Sequence, residues 1–439
     1  MKAGFAQVDY TPPRGFMPGE FDAYYAIGAY IPLLANAAAF TTDGESIILI
    51  SADHLLFTTD YSNMIRQKIA EATGLPVKNV MLAATHTHTG PSYSYSCWKS
   101  PAEPEVAQVV ANRIIKAAVA AFENQKDGFS FALASTEEKR FSFCRDWVLT
   151  DGRIKTNPGY GRTDLDHPCD TPDYAVEIMR IEKDGAIRAI MVNYANHPDT
   201  NGGVPRNKFS SDWPGAMREA LKEKYGEDVV VLFFNGCCGD VNHCDFKYET
   251  DKALYIKEGV YTPGAIGRGL AETVISALEG KEATEKDFPV SALEYPITVK
   301  RRQITEDERQ WAIDTLKEAE TEYISAWKYG TASAYLKTCD NVPEFQEFVV
   351  YAYKVGPWGM IAMPGEMYTA VGRSIKEGSP FEKTIPVELA NGHNGYVIPD
   401  SVRNNGSYEG RFSSGSTGYG AMDAIINGSI EALKKIADN

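Results

Sequence analysis

Residues 80–91, Val80-Met81-Leu82-Ala83-Ala84-Thr85-His86-Thr87-His88-Thr89-Gly90-Pro91, begin as a short apolar run and end in a polar cluster holding two of the chain's seven histidines. An unbroken apolar run of this length reads as a strand buried on both faces, and its abrupt end as the point where the chain leaves the sheet. In an extended segment residues two apart face the same way, so both imidazoles would point into one cleft. Taken alone, a His-x-His pair fits satisfied loop histidines at least as well as metal ligands.

Working outward, the same pattern recurs. Ser46 to Ala52 precedes Asp53-His54, Ile190 to Ala195 precedes Asn196-His197, and Val229 to Phe234 precedes Asn235-Gly236. Between these runs lie helical stretches, Tyr61 to Thr73 and Pro104 to Asn124, with apolar residues three and four apart. Strand, helix and strand in alternation predict an α/β fold: a mixed sheet flanked by helices, with the ligand site at the carboxyl ends of the strands. From about residue 288 the character changes to an extended run, Val290 to Val299, then a long charged helix from about Thr305 to Gly330. The region 288–340 reads as a lid, a subdomain or an insertion. Strand signals return in Phe348 to Val355 and in Met360 to Met363, which runs into Pro364-Gly365-Glu366. Residues 391–420 are rich in Gly, Ser and Asn and predict loops, before a final helix from about Ala421 to Ile436. No internal repeat is evident and no linker forces a cut, so residues 1–439 read as one domain.

Composition narrows the function. With 439 residues, 44% of them hydrophobic, the chain can bury a substantial core. It has no apolar stretch of the roughly 18–20 residues a membrane helix needs, and Met1 to Pro13 lacks a basic region followed by an apolar run. Seven cysteines spread thinly predict reduced thiols and a cytoplasmic protein. A formal net charge of -15 would repel a phosphate backbone, which excludes nucleic acid and leaves a small-molecule substrate as the expected partner.

The chemistry then turns on histidine. His197 also ends a strand-like run and is followed by Pro198-Asp199, a turn, so His86 and His197 would share one rim of the sheet. Catalytic zinc takes three or four protein N and O ligands and leaves a position for water. Glu366 lies at another strand exit behind a Pro-Gly turn, although pattern alone does not select it among 59 acidic residues. A competing metal reading is Cys237-Cys238-Gly239-Asp240-Val241-Asn242-His243-Cys244. Adjacent cysteines bind one tetrahedral ion with difficulty and no C-x-x-C is present, so a strand-to-turn junction with small buried thiols accounts better for this stretch. No G-x-S-x-G elbow and no P-loop occurs, and Gly236, Gly239, Gly392 and Gly395 read as turn residues. Tyr93, Tyr95 and Trp98 either line a pocket or pack in the core.

Taken in order, the motifs are Gly4-Phe5-Ala6-Gln7-Val8-Asp9 with Thr11-Pro12-Pro13, Thr85-His86-Thr87-His88-Thr89-Gly90-Pro91, Asn196-His197-Pro198, Ser211-Asp212, Gly239-Asp240-Val241, Met363-Pro364-Gly365-Glu366 and Tyr408-Glu409-Gly410. Together they resemble the catalytic domain of the neutral, non-lysosomal ceramidases, which are zinc amidohydrolases. The resemblance spans most of the chain. It implies that His86, His197 and Glu366 bind zinc (Zn2+), with Tyr396 of Asn394-Gly395-Tyr396 as a fourth ligand. It also implies that His88, Arg145 and Tyr408 contact the reacting carbonyl or leaving group. One departure is informative: the family's catalytic serine after Gly-Asp-Val is Asn242 here, and an amide cannot replace an alkoxide nucleophile. No counterpart of the family's carboxy-terminal β-sandwich is expected within residues 1–439. The expectation is therefore metal-activated water attacking an amide or ester of a substrate smaller and more polar than ceramide, with Asn242 positioning water or substrate. A lactone, sugar ester or glycosidic bond on the same metal is the first alternative, and a non-catalytic metal- or ligand-binding homologue the second.

Overall fold

The run Glu45–Ala52 shows how the fold is organised: Ile47 and Leu49 point into a central apolar cluster, and Ile48 and Ile50 point the other way, under helices. A computed structural model describes residues 1–17, 24–92, 103–200, 204–247, 261–284, 288–324, 326–338, 342–412 and 414–438. Among the described residues no helix is long and apolar enough to cross a membrane.

The first sheet carries Lys2–Asp9 (β1), Leu34–Thr42 (β2), Glu45–Ala52 (β3) and Val80–Ala84 (β4) in the order β4-β3-β2-β1. β1, β2 and β3 are antiparallel, and helix Thr59–Thr73 (α1) crosses over to β4, which lies parallel to β3. Helix Pro104–Glu123 (α2) follows. The same sequence of events recurs. Ser130–Glu137 (β5), Ala175–Lys183 (β6) and Ala186–Tyr194 (β7) form an antiparallel meander, helix Asp212–Tyr225 (α3) leads to the parallel strand Val230–Asn235 (β8), and helix Pro263–Leu278 (α4) follows.

A third round begins with Val290–Lys300 (β9), is interrupted by helices Glu306–Glu318 (α5) and Ala326–Thr338 (α6), and resumes with Phe345–Val355 (β10) and Trp358–Ala362 (β11). Helix Thr369–Gly378 (α7), the parallel strand Lys383–Val387 (β12) and helix Ala421–Ala437 (α8) complete it. The α/β architecture read from the sequence is present, with strands β1–β12 divided among three mixed sheets; shorter two- and three-stranded sheets lie outside them among the described residues. The architectural repeat has no counterpart in the sequence, because a shared strand order requires only short apolar runs and not shared residues.

Inner faces of all three sheets meet in one core that joins Leu49 and Met81, Met191 and Leu232, and Tyr353 and Met360. Burial of each such side chain contributes about 1.5–3 kcal/mol. Each outer face is covered by its own helix pair, through Ile65 and Ile114, Trp213 and Leu270, and Val371 and Leu433. α3 and α4 approach so closely that a Cβ at Gly267 would lie 2.6 Å from the Met217 nitrogen.

The region 288–340 divides accordingly. β9 belongs to the third sheet, and only α5 and α6 are inserted. The single charged helix expected from about Thr305 to Gly330 is two helices, because Ala312, Ala332 and Tyr335 bury one another across a hairpin. A continuous helix would leave that apolar seam in water. Thr305 and Glu308 start α5 with a reciprocal capping box.

A buried ion pair joins the first two rounds. Arg218 on α3 donates from Nη2 to Asp53 Oδ2 at 2.8 Å, and Asp53, just past β3, also accepts from the Leu34 nitrogen. Both side chains are almost wholly buried. Arg218→Met is expected to lower unfolding free energy by about 3–5 kcal/mol in urea titration, since it strands a carboxylate in the core. Adding Asp53→Asn should restore part of that loss.

Candidate metal centre

The three rounds of the fold end on a common rim. His86 follows β4 of the first sheet, His197 follows β7 of the second and Glu366 follows β11 of the third. His86 has a φ of 75°, so the strand alternation expected to align it with His88 has already ended there. The two rings converge through the turn instead, with centroids 5.0 Å apart, and His88 lies 5.8 Å from His197. Ligand atoms of His86, His88 and His197 all fall within 4.8 Å of one another.

Tautomers follow from the backbone. His86 Nδ1 donates to the Leu55 carbonyl at 2.8 Å, and His197 Nδ1 faces the carbonyls of Cys238 and Val241 at 2.8 and 2.9 Å. With Nδ1 as donor, each neutral ring presents a lone pair at Nε2, and the two Nε2 atoms confront each other at 3.1 Å. Glu366 Oε2 lies 3.3 Å from His86 Nε2 and 3.6 Å from His197 Nε2. This oxygen is buried and accepts no well-aligned hydrogen bond. Ligand atoms held about 2.0–2.1 Å from a tetrahedral zinc stand roughly 3.3 Å apart. The residues therefore fit such an ion: three acceptor atoms, otherwise mutually repulsive, span a triangle of the right edge.

Electrostatics agree with this crowding. Burial, the Arg145 guanidinium and His86 push His197 down to about 4. For His86 burial works the other way from Glu366, whose carboxylate prevails and raises the ring's pKa. Burial likewise opposes a charge on Glu366, yet His86, His197 and His393 hold its carboxyl well below the usual range.

Arg145 reaches the same point from the loop after β5. Its Nη1 stands 3.2 Å from His197 Nε2, beside the lone pair that a metal would take, its Nη2 donates to the Tyr396 hydroxyl at 3.0 Å, and Glu409 Oε1 grips Nε and Nη2 at 3.0 and 2.8 Å. Tyr396 is delivered by register, being the Cα partner of Glu366 in a short parallel pair. Gly395, at φ 77°, makes this possible, because a Cβ there would sit 2.5 Å from the Ser414 carbonyl oxygen. Burial and the Glu366 charge hold the Tyr396 phenol well above its ordinary value. The Tyr408 ring stands edge-on to Tyr396 at 6.0 Å.

Solved structures match this architecture along almost the whole chain, two ceramidase structures among them. Neutral ceramidase from Pseudomonas aeruginosa has a TM-score of 0.71 at 14% sequence identity, covering 99% of this chain and 74% of its own. The chain has a neutral-ceramidase-like fold. A second structure, ceramidase complexed with C2, gives the same TM-score and identity over 100% of this chain and 75% of its own. No sequence-family model matches, and no curated protein sequence matches significantly.

Within this ceramidase-like fold the other expected residues are placed as follows. Asn242 is buried, but its amide is spent locally: Nδ2 donates to Asn157 Oδ1 and Oδ1 accepts from the Cys244 nitrogen, each at 2.9 Å. The Cys237 to Cys244 stretch does not gather its thiols. Cys237 packs with Val371 and Ile375, whereas Cys238 donates to Glu388 Oε1 at 2.9 Å. His243 pairs instead with Asp199 at 3.0 Å. Tyr93, Tyr95 and Trp98 lie outside the described residues.

Three contributors escaped the sequence reading. His393 Nε2 lies 3.3 Å from Glu366 Oε1 and so orients the carboxylate; a histidine is rare enough in this chain that its position beside Asn394-Gly395-Tyr396 was a usable signal. Glu388 accepts from the Met367 nitrogen at 2.8 Å and is pushed by burial up to about 8. Glu409 sat inside a quoted motif, but nothing local marks it as the clamp on Arg145. On the other side of Tyr408 lies a cavity of about 280 Å³.

Proposed function

We propose that this chain is a zinc-dependent hydrolase that cleaves an amide or ester bond of a small polar substrate. The observation that carries this reading is the triangle of His86 Nε2, His197 Nε2 and Glu366 Oε2, with edges of 3.1, 3.3 and 3.6 Å. The ceramidase-like fold supports it independently. In the proposal His86, His197 and Glu366 hold the metal and Tyr396 is the fourth donor. When bound, such an ion makes a nucleophile available from water at neutral pH and polarises a carbonyl oxygen.

The chain's own residues do the rest. Glu409 fixes the Arg145 fork, so that its N–H groups are oriented before substrate arrives and can donate to an oxygen that gains negative charge. Tyr408 stands beside it as a second donor. His88 is set back from the triangle, where it contacts the reacting carbonyl or the leaving group. His393 steadies Glu366, and Asn242 acts through Asn157, holding the loop that carries the Arg145 backbone: the Asn157 nitrogen donates to the Arg145 carbonyl at 2.8 Å. We also propose that residues 1–439 act as one catalytic domain, since each round of the fold supplies one metal donor, and that the protein is cytoplasmic, in keeping with five free thiols among the described residues.

Metal analysis of the full chain should find one zinc per molecule. Chelation should abolish hydrolysis across a panel of amides, esters, lactones and glycosides, and added zinc should restore it on amides or esters. Undiminished turnover by metal-free protein would retire the proposal.

A further inference from the structure

Behind the donor triangle the chain turns sharply as it leaves β12. Leu389 and Asn391 have φ of 51° and 64°, a left-handed conformation that leucine rarely adopts. Strain of this kind persists where surrounding contacts over-determine it, and here those contacts reach the ends of all three sheets. The Leu389 carbonyl accepts from the Ala84 nitrogen at 3.1 Å, two residues before His86. The Leu389 nitrogen donates to the Gly365 carbonyl at 3.0 Å, next to Glu366, and the Glu388 nitrogen donates to the Asn235 carbonyl at 3.2 Å, at the end of β8.

The Glu388 side chain lies at this junction and is fully buried. Its Oε2 accepts from the nitrogen of Met367, the residue after Glu366, at 2.8 Å, and from the Cys238 nitrogen at 3.2 Å. Its Oε1 accepts from the Cys238 thiol at 2.9 Å. The Cys238 carbonyl in turn accepts from His197 Nδ1 at 2.8 Å, and the Cys238 sulfur stands 3.4 Å from the same nitrogen. One carboxylate therefore grips both the loop that carries Glu366 and the loop that sets the His197 ring. Those loops also meet directly, since the Gly239 nitrogen donates to the Met367 carbonyl at 2.8 Å. Asn235 extends the clamp, because its Oδ1 accepts from the nitrogen of Asn196, the residue before His197, at 3.3 Å. A carboxylate at this depth costs more to bury than an apolar side chain of similar volume. What it supplies in exchange is a fixed set of acceptors shared by two loops.

We propose that Glu388 is a positioning residue of the metal centre, which holds the Glu366 and His197 loops at the separation a zinc ion requires before the ion arrives. The assignment rests on reading that centre as a zinc site. Zinc affinity of the full chain, measured by chelator competition without substrate, tests it. Glu388→Ala, with folding confirmed by circular dichroism, should weaken zinc binding about ten- to a hundredfold, as loss of a partner behind the ligands does. Glu388→Gln keeps an oxygen that can accept from both backbone nitrogens and gives up only the thiol bond, so it should stay within about threefold of wild type. Glu388→Asp keeps the charge but withdraws the carboxylate by about 1.5 Å. It should bind zinc nearly as weakly as Glu388→Ala, and it replaces that variant in the test if Glu388→Ala does not fold.

Cobalt-loaded protein provides a second readout, because its visible spectrum reports ligand geometry. The spectrum should change in Glu388→Ala and Glu388→Asp and return in Glu388→Gln. A residue that only stabilises the fold would leave zinc affinity and the cobalt spectrum of folded variants unchanged, and that result overturns the proposal. Glu388→Gln as impaired as Glu388→Ala overturns it too. Wild-type protein that binds no zinc retires the metal centre and this assignment together, whereas zinc binding that is equal in wild type and variants retires the assignment alone. Zinc binding that depends on Glu388 in a chain that hydrolyses none of the substrates tested leaves the assignment standing.

Discussion

His86→Asn and His197→Ala are each expected to lose the bound metal and to lower kcat/KM on the order of a thousandfold. That corresponds to about 4 kcal/mol of transition-state stabilisation, the scale on which a Lewis acid acts. Asparagine is preferred at position 86 because the φ of 75° strains alanine, whereas asparagine tolerates left-handed backbone. Each substitution removes one vertex of the donor triangle and leaves too few ligands to retain the ion against a chelator. Metal content by mass spectrometry and initial rates on the same preparations provide the check. A variant with no metal and wild-type turnover is incompatible with the proposed centre.

Arg145→Gln should lower kcat about a hundredfold to a thousandfold, with metal content retained and KM little changed, because a preorganised oxyanion donor is worth roughly 2.7–4 kcal/mol in the transition state. Folding is a confounder, since removing the guanidinium leaves Glu409 buried and unpaired at a cost of about 3–5 kcal/mol. Arg145→Gln/Glu409→Gln removes both charges and should fold better than the single variant while remaining as slow. Arg145→Lys should not rescue the rate, because an ammonium cannot serve Glu409, Tyr396 and the substrate at once as the planar fork does. A KM effect alone, with kcat intact, would move Arg145 from the reacting carbonyl to ground-state binding.

Local apolar runs marked β3, β4, β7 and β8 and the final helix to within a residue or a few of their observed ends, since a strand buried on both faces needs its whole length apolar. His86 and His197 were legible for the same reason: each is a rare polar side chain placed where such a run stops. Glu366 and Tyr396 were not legible from pattern, and only the ordered motifs pointed to them. The helical hairpin of α5 and α6 was misread as one helix because its turn depends on Ala312 meeting Tyr335, a contact between segments that periodicity does not register.

By itself, then, the amino-acid sequence determined which segments would be buried strands and amphipathic helices, because hydrophobic periodicity is a property of neighbours along the chain. The tertiary structure alone decided that the strands would sort into three sheets, that His86 would turn its lone pair to His197, and that Arg145, Glu409 and His393 would meet them. Those outcomes depend on which backbone carbonyls and charged groups come within about 3 Å, and residues more than a hundred positions apart acquire that relation only when the sheets pack.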